Sequence, residues 1–144
     1  MDYNTHSNCW TPCQIGKIHR NLADKKYPVR PLLLRKWCRL NPNHTITIRD
    51  SIDWNGAKDL EGHIVIEDGG VLTIRCRISL PKGAKITVYP KGSLILDGGK
   101  LENDCGDQWQ GIEVMSKGKD RGKVVFSPDA VVEHAEHAVQ VISE

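Results

Sequence analysis

The chain lacks any run of about 18 apolar residues, so no segment is a candidate membrane-spanning helix. Its first residues, Met1-Asp2-Tyr3-Asn4-Thr5-His6, lack the basic and apolar stretches of a secretory signal. An excess of either charge is missing too. Twenty Lys and Arg against 18 Asp and Glu leave +2, too balanced to argue for a nucleic-acid partner. Basic residues do gather early, at Lys25, Lys26, Arg30, Arg35, Lys36 and Arg39, and this cluster reads as a solvated face or linker. The five cysteines (Cys9, Cys13, Cys38, Cys76, Cys105) show no paired C-x-x-C spacing, which argues against a zinc ribbon and for a disulfide framework. Disulfides imply an oxidising destination, and none is signalled here. The two agree if Met1 is not the natural start.

What is present is enough for one domain, or a small one with an appendage. Of 144 residues, 39% are apolar and 26% charged, which permits a packed core and excludes wholesale disorder. The strongest internal signal is a duplication within 62–102. Ile64-Val65-Ile66-Glu67-Asp68-Gly69-Gly70-Val71-Leu72-Thr73-Ile74 aligns with Ile86-Thr87-Val88-Tyr89-Pro90-Lys91-Gly92-Ser93-Leu94-Ile95-Leu96 at an offset of 22. Apolar positions alternate on both sides of the glycine, which is strand periodicity. A fixed period of this size is the mark of stacked units that cannot bury their apolar faces alone.

The series extends in both directions. Ile46 and Ile48 precede Ile64 and Ile66 by 18 residues; Ile112 and Val114 follow Ile86 and Val88 by 26, and Val139 and Val141 follow those by 27. Second strands are expected at Val71–Ile74, Gly92–Leu96 and Lys123–Phe126, and shorter third ones at Ile78–Leu80 and Val131–Val132. Three short strands with bends account for each period. The pattern therefore predicts a mainly β protein, a right-handed parallel β-helix of about four to five coils over 41–144, after a helical and extended segment over 1–40. Inward Ile, Val and Leu should stack from coil to coil, with Glu67, Thr73, Arg75 and Thr87 pointing outward. Gly70 and Gly92 fall at the bend, where a residue free to take positive φ turns without strain. Pro81-Lys82-Gly83 and Asp97-Gly98-Gly99 mark other corners. Cys76 and Cys105, 29 residues apart in successive coils, are disulfide candidates if they face each other, and buried free thiols if they do not.

Upstream, residues 9–24 read as a short helix. Thr11 is a suitable N-cap, Pro12 takes the first helical position and Gln14 can complete a capping box. Ile15, Ile18, His19 and Leu22 then define one apolar face. Tyr27–Cys38 reads as a linker over the first rung, its Leu32–Leu34 and Trp37 forming an apolar patch that needs cover, with the boundary near Asn41-Pro42-Asn43.

Met1-Asp2-Tyr3, Cys9 and Thr11-Pro12-Cys13-Gln14-Ile15-Gly16-Lys17-Ile18 resemble the end of a pappalysin-type metzincin metalloprotease. The resemblance implies that Met1 is the Met-turn methionine and Tyr3 the tyrosine that approaches the metal. The zinc site itself is missing from the sequence. None of His6, His19, His44, His63, His134 and His137 lies in HExxHxxGxxH. His134-Ala135-Glu136-His137 sits among strand-and-turn residues, as an exposed polar loop. The chain alone is thus expected to hold no cofactor and no catalytic residues. Zinc enters only with an upstream catalytic half, whose domain the chain would then contact.

A second resemblance covers about 44–142. The repeat, Cys76, Cys105 and above all Trp109-Gln110-Gly111-Ile112-Glu113-Val114 resemble β-helical segments of large secreted and cell-surface proteins of Bacteroidetes-type bacteria. The resemblance implies an extracellular structural role in which Gly70, Gly92 and Trp109 are structural residues and glycans or proteins meet the outer faces. The chain is then expected to be a fragment, ending inside a strand near Val141. A β-helix carbohydrate-active enzyme is disfavoured, because the outward acids Glu67, Asp97 and Glu113 do not recur on one face.

Overall fold

A computed structural model describes residues 11–24, 26 and 28–143. The chain divides at Leu33/Leu34 into two units. Met1, Tyr3 and Cys9 lie outside the described residues, and with them the Met-turn part of the metzincin resemblance.

In the first unit, helix α1 (Pro12–Ala23) begins as the residues dictate. The Thr11 amide donates to Gln14 Oε1 at 2.9 Å while the Gln14 amide donates to Thr11 Oγ1 at 3.3 Å, completing the capping box. At the other end, the buried Arg30 donates through Nη1 to the Leu22 carbonyl at 2.8 Å, satisfying an acceptor that the last turn leaves open. Ile15 and Ile18 of the apolar face stay 43% and 39% exposed.

The second unit is a parallel β-solenoid built from three sheets. The first coil is β1 (Ile46–Ile48), β2 (Ser51–Trp54) and β3 (Lys58–Asp59). The second is β4 (Ile64–Ile66), β5 (Val71–Ile74) and β6 (Arg77–Ser79), and the third β7 (Lys85–Val88), β8 (Ser93–Leu96) and β9 (Lys100–Glu102). The fourth is β10 (Trp109–Lys117), β11 (Asp120–Arg121), β12 (Lys123–Phe126) and β13 (Val131–Val132); β14 (Ala135–Ser143) opens the next. Strands one coil apart pair in parallel, giving the sheets β1-β4-β7-β10-β14, β2-β5-β8-β12 and β3-β6-β9-β13.

The registers are those the repeat predicts: Ile46 pairs with Ile64, Ile64 with Ile86, Ile86 with Ile112 and Ile112 with Val139. The last offset exceeds the one before it because the ladder shifts between Gly111 and Ile112 and skips Ala138. The fourth coil takes up its extra length by extending β10 into an antiparallel hairpin with β11, through Gly118 at φ 62°. The hairpin insertion therefore sits at a corner, and among the described strands the ladders are interrupted only where Ala138 is skipped.

Alternation buries one side of every strand. Ile64, Ile66, Leu72, Ile74, Ile78, Ile86, Leu94, Leu96 and Leu101 are fully enclosed, each contributing roughly 1.5–3 kcal/mol. Trp109, also fully buried, donates its indole N–H to the Glu133 carbonyl at 2.8 Å. Val139 and Val141 keep the inward register but remain exposed, since no described strand stacks beyond β14.

Three expectations need correction. Gly70 and Gly92 do not take positive φ; Gly69 (φ 80°) and Lys91 (φ 61°), one residue earlier, do. The glycines are required instead by close stacking. A Cβ on Gly70 would lie 2.5 Å from the Ile48 carbonyl oxygen, and one on Gly92 2.9 Å from that of Glu67. Gly122 continues the column in the fourth coil, where a Cβ would lie 2.5 Å from the Val88 carbonyl oxygen. Thr73 and Thr87 point away from the core yet are buried, because strands of the coils above and below flank them.

Cys105 does form a disulfide, but with Cys38; Cys76 is a free thiol. The register explains it. Cys76 lies at the corner between β5 and β6, and its carbonyl accepts from Lys100 one coil later. Cys105 lies at a different corner, between β9 and β10. The two cannot face each other across the stack.

The linker also takes another path than a lid on the first rung. Cys38 is bonded at the corner that follows the third coil, whereas the Asn41 amide donates to the Glu61 carbonyl at the corner that follows the first. Asn41 lies one coil below Glu61. Three extended residues reaching roughly 10 Å, together with the 5.7 Å between the two cysteine Cα atoms, span the three coil rises of about 4.8 Å each that separate Asn41 from Cys105. Residues 38–41 therefore run down the side of the stack as a strap. Trp37 is buried and Leu40 packs on the core, but Leu34 is left 77% exposed.

Candidate functional site

The outward positions of the first sheet form columns set by its register. Thr47, Val65, Thr87, Glu113 and Gln140 stack in one of them. The neighbouring column places His63 beside Lys85. The Lys85 amide donates to His63 Nδ1 at 3.2 Å, and Lys85 Nζ donates to Glu113 Oε2 at 2.8 Å. With Tyr89 and Met115, these side chains border a shallow depression of about 370 Å³ over the sheet.

Burial, followed by the nearby Lys85 cation, holds the His63 imidazole below its ordinary value, while Glu113 pulls weakly the other way. His63 is then neutral near pH 7. Because Nδ1 accepts a backbone hydrogen bond, the ring proton resides on Nε2, which is left to donate. Glu113 is the one carboxylate among the described residues lining the depression, and it is already paired. The site can offer and accept hydrogen bonds. It does not bring together two carboxylates for acid–base work.

Several other outward acids are engaged across coils. Glu67 binds Arg49 at 2.8 Å, and that hydrogen bond holds its carboxyl below the usual range. Asp97 pairs with Arg75. Arg77 bridges Asp59 at 2.9 Å and Glu102 at 3.5 Å, while Lys100 holds Glu102 at 2.9 Å and Glu133 at 2.8 Å. At the corners Lys82 meets Asp107 at 3.0 Å. Apart from Lys100–Glu102, which lies within one strand, each of these pairs ties a coil to its neighbour. Asp129 accepts from Ser127 Oγ, which lowers its pKa.

His134 sits at φ 57° just before β14, and His137 lies within that strand, opposite Gly111. A Cβ on Gly111 would collide with the His137 carbonyl, so that pairing demands glycine. Among the described residues no group of three or more His, Cys, Asp and Glu gathers as a metal site. The free Cys76 thiol donates to the Gly56 carbonyl at 3.1 Å, and burial raises its pKa.

Neither His63 nor Lys85 belongs to a motif, so the residues themselves do not single the pair out. Their one signal is the repeat offset, since laying residues 63 and 85 on the 22-residue register puts them side by side.

Fold and site together define a parallel β-solenoid with cross-coil ion pairs and a polar depression on one face. No protein-family model, no curated protein and no solved structure matches the chain.

Proposed function

We propose that the chain is a non-catalytic structural and interaction segment of a secreted or cell-surface bacterial protein, a stalk- or adhesin-like β-helix whose outer faces meet glycans or proteins. The observation that carries this reading is the use of the outward acids. Glu67, Asp97 and Glu113 are each held by a base of the preceding coil, so they tie coils together and are not poised as a general acid and base. The Cys38–Cys105 disulfide supports an oxidising, extracellular destination. A role as the C-terminal part of a zinc metalloprotease rests on residues 1–24 alone and draws no support from the solenoid.

The test is turnover. Purified chain incubated with neutral and acidic polysaccharides and with denatured protein should release neither reducing ends nor peptides, with or without added zinc. Turnover that disappears in Glu113→Gln would overturn the reading.

A further inference from the structure

We infer that the depression over the first sheet is a binding site for an extended, uncharged polysaccharide, with Tyr89 as the stacking platform and His63, Lys85 and Glu113 as its hydrogen-bonding groups. The inference rests on the scaffold reading above and names the ligand class of that face.

Shape is the first argument. The depression runs from Thr45, just before β1, to Ile142 in β14. It therefore crosses four inter-strand steps of about 4.8 Å each, roughly 19 Å along the stack. Pockets for small molecules enclose most of their ligand. A long, shallow trough along a solenoid instead suits a chain that lies across several coils.

Chemistry is the second. Tyr89 is 40% exposed at the border of the trough, which the apolar Met115 also lines. An amphipathic ring beside apolar surface matches the amphipathic faces of a sugar. Beside it, His63 Nε2–H donates, Glu113 Oε1 accepts and the Lys85 ammonium has protons beyond the one it gives Glu113. Donors and acceptors in that mixture suit hydroxyl groups, which act as both.

Charge is the third. Lys85 and Glu113 compensate each other at 2.8 Å, and His63 carries no charge near neutrality. A polyanion would find no surplus cation here, and a polycation no surplus carboxylate. A neutral polymer meets no such penalty.

The experiment is affinity electrophoresis of the full chain in native gels. The gels contain mixed-linkage β-glucan, galactomannan or xylan, with polygalacturonate as an anionic arm and gelatin as a protein arm. At least one neutral polysaccharide should retard migration. Tyr89→Ala should weaken the apparent affinity about tenfold, as truncation of an aromatic anchor does. Lys82→Ala, at a corner away from the trough, should leave it unchanged. Should Tyr89→Ala fail to keep its circular dichroism spectrum, Lys85→Gln carries the same expectation. Retardation by none of the neutral polymers, by polygalacturonate or gelatin alone, or equally in variant and parent overturns the site. Those failures leave the scaffold reading standing, whereas turnover of a polysaccharide would remove the scaffold reading and leave the site.

Discussion

Replacing both Cys38 and Cys105 by serine tests the largest single covalent constraint in the solenoid. The bond closes a loop of 67 residues between Cα atoms 5.7 Å apart. On the chain-entropy account, a loop of that size is worth about 4 kcal/mol at 25 °C, almost all of it by restricting the unfolded chain. Domains of this size are stable by only about 5–15 kcal/mol, so the double variant should lose about a quarter or more of its margin. Urea unfolding followed by tryptophan fluorescence is the assay, since Trp37 beside the bond and Trp109 in the core are both buried. The midpoint should fall, and the denaturant slope should rise because the unfolded chain is no longer looped. Cys76→Ala is the control. It removes a half-buried thiol and one hydrogen bond to Gly56, an expected loss of about 1 kcal/mol. A loss below about 1 kcal/mol in the double variant would refute the reasoning, as would a large loss in Cys76→Ala.

Gly70→Ala should destabilise by roughly 1–3 kcal/mol, because the new methyl meets a backbone carbonyl that cannot move without breaking the ladder; Gly56→Ala, which opens onto free space, should not. Equal thermal midpoints for the two variants would contradict close stacking as the reason for the glycine. His63 supplies a pH prediction. Its folded pKa lies below the ordinary 6.5, so the folded state binds its proton later than the unfolded one. Its contribution is present above pH 6.5 and is lost as pH falls from there towards the folded value. Glu67 and Asp129 also have lowered pKa values, but they lose their contributions only as pH falls below about 4.5. Between about pH 7.5 and 5.5 the melting temperature of the parent should therefore drop more steeply than that of His63→Gln, and parallel profiles would count against the assignment.

The ladders are legible in the sequence because inward residues repeat themselves: Ile over Ile and Leu over Leu give the offset directly, and the structure keeps it at every step of the first sheet. The strands Ser51–Trp54, Lys58–Asp59 and Lys100–Glu102 are not legible. They are short or charged, and they are strands because the coil beside them offers a ladder. At Gly70 and Gly92 periodicity shows that a glycine recurs but cannot distinguish a backbone angle from a carbonyl one coil below. The partner of Cys105 is hidden for a similar reason, since a separation of 29 residues from Cys76 says nothing about which corner each cysteine occupies. The length of the strap matters in coil rises, a unit that exists only once the stack is built. The site residues His63, Lys85 and Glu113 come from three coils, and only the register makes them neighbours.

The Cys38–Cys105 bond also decides how the solenoid answers to a mechanical load. A pull applied upstream of Cys38 and downstream of Ser143 passes through the sulfur bridge and reappears at Cys105. The first three coils, Ile46 to Glu102, lie inside that covalent ring and carry none of the tension. Among the described strands only β10–β14, beyond Cys105, can be peeled away, while the first three coils stay folded. Under reducing conditions the limit vanishes and unravelling can proceed from either end.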